Sequence, residues 1–169
     1  MEVKLKEMKV APYTLIFPIE GDKVLTLHRS TSKKVQPDKI NGFGGKVEPG
    51  ESLETSARRE LREETDLTAK EMLLRGMLTR VPGNGYIFHL YIFIATGLTG
   101  ELKDHTEEGE VSWRTVTDLI THPKVAPHIP QYLEQVIEGK DFYCGVRFYK
   151  DERLVEYADN REHFNDRRQ

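Results

Sequence analysis

The chain has 169 residues, 37% hydrophobic and 31% charged, with a formal net charge of −3. That is the length of one domain with enough apolar content to bury a core, so disorder throughout is excluded. The slight acidic surplus gives no drive toward duplex DNA or anionic lipid. The single cysteine, Cys144, excludes an intrachain disulfide.

Residues 1–10 alternate charged and apolar side chains and lack the apolar core of a signal peptide. The longest apolar stretch, residues 86–95, is too short to cross a membrane as a helix. A soluble, cytoplasmic chain without a membrane partner is expected, as a monomer or homodimer.

Residues 13–19 and 24–28 read as two strands joined at the Glu20-Gly21-Asp22 turn. A polar loop follows over residues 30–39, and then the glycine-rich run Asn41-Gly42-Phe43-Gly44-Gly45-Lys46. Ser52 is placed to cap a helix over residues 52–65, where Leu53, Ala57 and Leu61 recur at four-residue spacing. Residues 72–81 and 86–96 predict two strands about the Pro82-Gly83-Asn84-Gly85 turn, and 111–116 a shorter strand. A second helix is predicted over 130–138, and a last hairpin from 142–149 and 154–157. Strands outnumber helices and no linker interrupts them, so the expectation is one α+β domain over 1–159 and a charged tail over 160–169. Trp113, Tyr86 and Phe88 are read as packing residues, and Cys144 as an inert buried thiol.

The chemistry concentrates on the first helix. Glu60, Glu63 and Glu64 lie three and four residues apart and share one side of it. Glu60 and Glu64 continue the stripe of Leu53 and Ala57, so these acids border the interior. Clustered carboxylates repel, and a divalent cation compensates them. Arg59 can pair with Glu63. Residues 45–67 hold seven acids and four bases, which equals the whole surplus of the chain.

Gly45, Glu51, Arg59, Glu60, Leu61, Glu63, Glu64 and Leu67 occupy eight of the nine specified positions of a known box. That box runs Gly, five residues, Glu, seven residues, Arg-Glu, an apolar residue, any residue, Glu-Glu, any residue, Gly, apolar. The chain therefore resembles the Nudix hydrolases. The one departure is Asp66, where the family has a glycine that ends the helix in a left-handed conformation. The resemblance implies an α/β/α sandwich with a mixed sheet. It also implies a catalytic set of Arg59, Glu60, Glu63 and Glu64 that cleaves nucleoside diphosphates linked to another moiety. Mg²⁺ or Mn²⁺ would be held by Glu60, Glu63, Glu64 and the Gly44 carbonyl, with Glu51 and Arg59 supporting the loop. A further acid from outside the box is expected at Glu107 or Glu108, with Glu108 preferred as ligand or base.

The run entering the box resembles that of MutT-like members that sanitise oxidised purine triphosphates. On that likeness Thr14, Arg29, Asn41, Phe43 and Lys46 would contact a small-molecule nucleotide. The mammalian members read the base with a Trp-Pro-Asp-Asp segment. Pro127-His128-Ile129-Pro130 stands there instead, so a different base contact, or a different base, is expected. The expected reaction is hydrolysis of a purine (deoxy)nucleoside triphosphate, 8-oxo-dGTP among the candidates, to monophosphate and pyrophosphate. RNA 5′ ends or nucleotide sugars are alternative substrates. A non-catalytic nucleotide sensor is the alternative class, and the retained box acids argue against it.

Overall fold

A computed structural model describes residues 9–103, 105–150 and 153–160. Residues 1–8 of the charged opening segment and 161–169 of the predicted tail lie outside the described residues. The strands are β1 (Lys9–Glu20), β2 (Lys23–Arg29), β3 (Ile40–Asn41), β4 (Thr68–Val81), β5 (Tyr86–Thr99), β6 (His105–Thr106), β7 (Gly109–Thr115), β8 (Tyr143–Lys150) and β9 (Arg153–Asp159). They form one sheet in the order β6-β7-β2-β1-β5-β4-β8-β9, with β3 beside β2. β1 runs parallel to β5 and β4 parallel to β8, while the other pairings are antiparallel, so the sheet is mixed.

Both faces of the sheet are covered, and the strands show it in their alternation. Leu15 and Phe17 enter one core while Ile16 between them enters the other. On β5, Ile92 and Ile94 face the first core, and Phe93 and Ala95 the second. Successive strand residues point to opposite faces, so an apolar run reads as a strand buried on both sides. Helix α1 (Leu53–Thr65) lies against the second face through Ala57 and Leu61. Helices α2 (Val116–Thr121) and α3 (Leu133–Glu138) cover the first through Leu119, Leu133 and Val136. The expected α+β sandwich is therefore the observed fold. No helix among the described residues is long and apolar enough to cross a membrane.

Two expectations need correction here. The helix predicted over 130–138 is broken: a 3-10 turn at Ile129–Gln131 precedes α3, and Tyr132 between them leaves helical geometry at φ −137°. Tyr132 is buried, with its ring 5.0 Å from that of Tyr143. Its hydroxyl lies 2.9 Å from Nδ1 of His128. Cys144 is exposed rather than buried, because on β8 the inward positions belong to Tyr143, Gly145 and Arg147. Trp113, Tyr86 and Phe88 divide: Trp113 packs on the α1-side core, while Tyr86 stacks on Phe88 and is 39% exposed.

The imidazole of His128 is held neutral. Desolvation, followed by the nearby charges of Arg147 and Arg80, depresses its pKa to about 3. In the unfolded chain a histidine titrates near ~6.5. Stability from this group is therefore complete above about pH 6.5 and falls as the pH drops toward 3, by up to about 1.4 kcal/mol per unit. Thermal denaturation between pH 7 and pH 4 should show this loss, and a His128→Asn variant should flatten the acid limb.

Candidate active site

The run from Gly42 to Val47 is laid along β1. Ile16 N–H donates to the Phe43 carbonyl at 2.7 Å, Phe43 N–H to Ile16 at 3.0 Å, and Thr14 N–H to Gly45 at 2.8 Å. The approach is close enough to demand glycine. Gly44 has φ 135°, and a Cβ there would strike the Thr14 carbonyl. A Cβ on Gly45 would collide with the carboxylate of Glu60. The spacing of Gly45 and Glu60 thus has a local meaning: Gly45 makes room for Glu60.

Helix α1 starts at Ser52, whose hydroxyl accepts the Thr55 N–H at 3.1 Å. It ends at Asp66, which adopts the left-handed conformation at φ 62° and sends its N–H to Arg62. Lys103 Nζ lies 2.9 Å from the Asp66 carboxylate. The departure from glycine therefore leaves the cap intact.

Arg59 is the hub of the acids. It forks onto Glu51 at 2.7 and 3.0 Å and reaches Glu60 at 2.8 Å and Glu63 at 3.3 Å. The hydrogen bonds from Arg59, helped by the Glu48 N–H, hold the pKa of Glu51 down at about 2. The expected Arg59–Glu63 pair is present, but the stronger partner is Glu51 across the loop. Side-chain exposure rises from 15% at Glu60 to 60% at Glu63.

Glu64 is the desolvated member of the set. It accepts the Gly44 N–H at 2.8 Å. Burial pushes its pKa up to about 7, and the charges of Glu60 and Glu108 add to that; the Gly44 N–H and Arg29 work against it. Among the described residues no three His, Cys, Asp or Glu side chains converge closely enough to hold a metal ion as placed. Arg59 draws Glu60 and Glu63 one way and Gly44 holds Glu64 another.

These acids border a cavity of about 910 Å³ lined by Gly44, Glu60, Glu63, Glu64, Arg29, Lys103 and residues 105–108. Glu107 and Glu108 both reach it. Glu108 is gripped at both oxygens, by Lys33 at 2.6 Å and Arg29 at 3.1 Å. Lys33 and Lys103 were missed by sequence reasoning. They sit in polar loops with no pattern, and only the fold brings them to the acids.

Of the residues expected to contact substrate, Arg29 alone lines this cavity. Thr14 is 2% exposed, within hydrogen-bond range of the Gly45 backbone, and Phe43 is wholly buried in the α1-side core. Neither side chain is open to the cavity: Thr14 and Phe43 shape the loop from inside. Asn41 accepts the Gly42 N–H at 2.9 Å and donates to Gln36 at 2.7 Å, so both ends of its amide are engaged. Lys46 is exposed outside the cavity lining. Leu61 and Leu67 are core residues.

Residues 9–136 match the family defined as the NUDIX domain. The chain belongs to that family. It is 40% identical over 120 residues to the oxidized purine nucleoside triphosphate hydrolase of Danio rerio, covering 70% of this chain and 76% of that protein. It is 32% identical over 125 residues to an uncharacterized Nudix hydrolase, YvcI, of Bacillus subtilis (strain 168), covering 71% and 78%. Among solved structures, a MutT protein from Bacillus halodurans superposes with a TM-score of 0.78 at 24% identity, over 89% of this chain and 98% of that one. That likeness shows the fold. The protein is thus a Nudix hydrolase of MutT type, a pyrophosphohydrolase.

Proposed function

We propose that this Nudix domain hydrolyses purine (deoxy)nucleoside triphosphates, 8-oxo-dGTP among them, to monophosphate and pyrophosphate, and so serves to sanitise the nucleotide pool. One observation carries the reading: Glu60, Glu63 and Glu64 face a single cavity in which Arg29 and Lys103 also stand. The relatives from Danio rerio and Mus musculus, both named oxidized purine nucleoside triphosphate hydrolase, supply the substrate class.

The donor set fits a hard divalent cation. It consists of oxygen ligands only, and its most desolvated member, Glu64, sits among like charges with a single N–H and Arg29 in compensation. Glu60, Glu63 and Glu64 would hold Mg²⁺ or Mn²⁺. Such an ion, when bound, neutralises the diphosphate and lowers the pKa of a bound water. The chain's own contribution is placement. Arg59 fixes Glu60 and Glu63, the Gly44 N–H fixes Glu64, and Arg29 and Lys103 draw phosphate oxygens into the cavity. Glu108 holds Arg29 and Lys33 at the rim.

The test is kcat/KM for 8-oxo-dGTP against dGTP, alongside a nucleotide sugar and 5′-triphosphorylated RNA. Higher efficiency on the oxidised triphosphate supports the sanitising role. Equal efficiency on both removes that role, and turnover of the sugar or RNA alone removes the substrate class.

A further inference from the structure

A second cavity, of about 850 Å³, opens between the loop joining β2 to β3, the β4–β5 turn and the end of β8. Its lining holds Lys34, Arg80 and Lys150 and no acidic residue among the described residues. This contrasts with the acid-lined cavity, where five glutamates face Arg29 and Lys103. None of the three cations has an ion-pair partner among the described residues, whereas Arg58, Arg59 and Arg114 are all paired. Arg80 is the most constrained of them. Its guanidinium lies over the Tyr149 ring at 4.5 Å, and its Nε is buried without a hydrogen-bond partner.

The amides on the wall point the same way. Gln36 accepts from Asn41 at 2.7 Å, and Asn84 accepts the Tyr86 N–H at 3.3 Å. Both side-chain oxygens are thus engaged, which leaves the NH₂ groups as donors. The wall is also held in place. Asp38, at φ 56°, is tied to His28 at 2.8 Å and to Lys124 at 2.9 Å. A cavity with three cations and two amide donors suits an acceptor-only anion, and a planar guanidinium held over a ring suits phosphate oxygens.

We infer that this second cavity is an anion subsite that takes a phosphate or diphosphate group, separate from the one cleaved at the acids of α1. It rests on the proposed function only in placing cleavage at those acids. The group comes either from the substrate, as a further phosphate at its far end, or from a free anion.

Isothermal titration of the full chain with inorganic pyrophosphate in EDTA tests the subsite, because without a divalent cation the glutamates repel pyrophosphate from the first cavity. Saturable binding is expected. It should weaken at least about tenfold in a Lys34→Gln/Lys150→Gln variant, which alters two exposed side chains, and in Arg80→Gln, with circular dichroism confirming the fold. No binding by the wild type, or unchanged affinity in both variants, overturns the inference. The source is then read with Mg²⁺ present. A substrate phosphate gives guanosine 5′-triphosphate 3′-diphosphate a lower KM than GTP, an advantage lost in the double variant. A free anion leaves those KM values alike, and added pyrophosphate alters GTP hydrolysis by the wild type more than by the double variant. Failure of the proposed function appears separately, as absent turnover with the EDTA titration intact.

Discussion

Replacing Glu64 by Gln lowers turnover of a purine triphosphate by about 10²–10³-fold, the equivalent of several kcal/mol of lost charge stabilisation. Glutamine keeps the size of the side chain and an oxygen that can accept the Gly44 N–H, so the loop stays in place. What it removes is the negative charge held among Glu60, Glu108 and Arg29. That charge is desolvated and strained in the metal-free protein, so the variant melts no lower than the wild type. Glu63→Gln should show the same loss of turnover, because Glu63 shares Arg59 with Glu60. Glu54→Gln is the control: Glu54 pairs with Arg58 outside the cavity, and its loss leaves turnover unchanged. Steady-state kinetics on folded variants decide the matter. Full activity in Glu63→Gln and Glu64→Gln would remove the assignment of these acids.

The second large effect is on stability. Phe43→Ala costs about 3–5 kcal/mol, because the ring is wholly buried in the core beneath α1 and its loss leaves a cavity. For a chain of this size that lowers the melting midpoint by about 10 °C. Phe43 is also bridged to Ile16 by two backbone hydrogen bonds, 2.7 and 3.0 Å long. The void therefore lies beside Gly44 and Gly45, which position Glu64 and Glu60. Phe43→Leu, which refills part of the space, should recover much of the stability with KM close to that of the wild type. If Phe43 instead touched the nucleotide, both variants would raise KM while melting normally.

How far the sequence carried can be traced through these residues. The carboxylate helix was legible to its ends: Ser52 caps it, the apolar stripe of Ala57 and Leu61 is buried, and Glu60 borders the interior as the stripe requires. Asp66 even takes the left-handed turn that glycine would have taken. The strands were legible too, since runs such as 86–96 carry their apolar pattern openly. What the sequence left open was which side of a residue the fold would cover. Phe43 sits in a glycine-rich run that suggests ligand contact, and Thr14 on the strand beside it, yet the run lies along β1 and both side chains are buried. Cys144 was read as buried from its type alone, while the alternation of β8 puts it outside. The cationic cavity was invisible because Lys34, Arg80 and Lys150 come from three distant segments. Only the parallel pairing of β4 with β8 brings the last two together.

The most direct test of the whole reading is turnover of 8-oxo-dGTP by the wild-type chain, with phosphate and pyrophosphate detected separately, in Mg²⁺ and again in EDTA. The proposed reaction predicts 8-oxo-dGMP and pyrophosphate in equal amounts with Mg²⁺, and a metal site at Glu60, Glu63 and Glu64 predicts none in EDTA. Release of inorganic phosphate instead, unchanged turnover in EDTA, or no cleavage of any phosphoanhydride would contradict it.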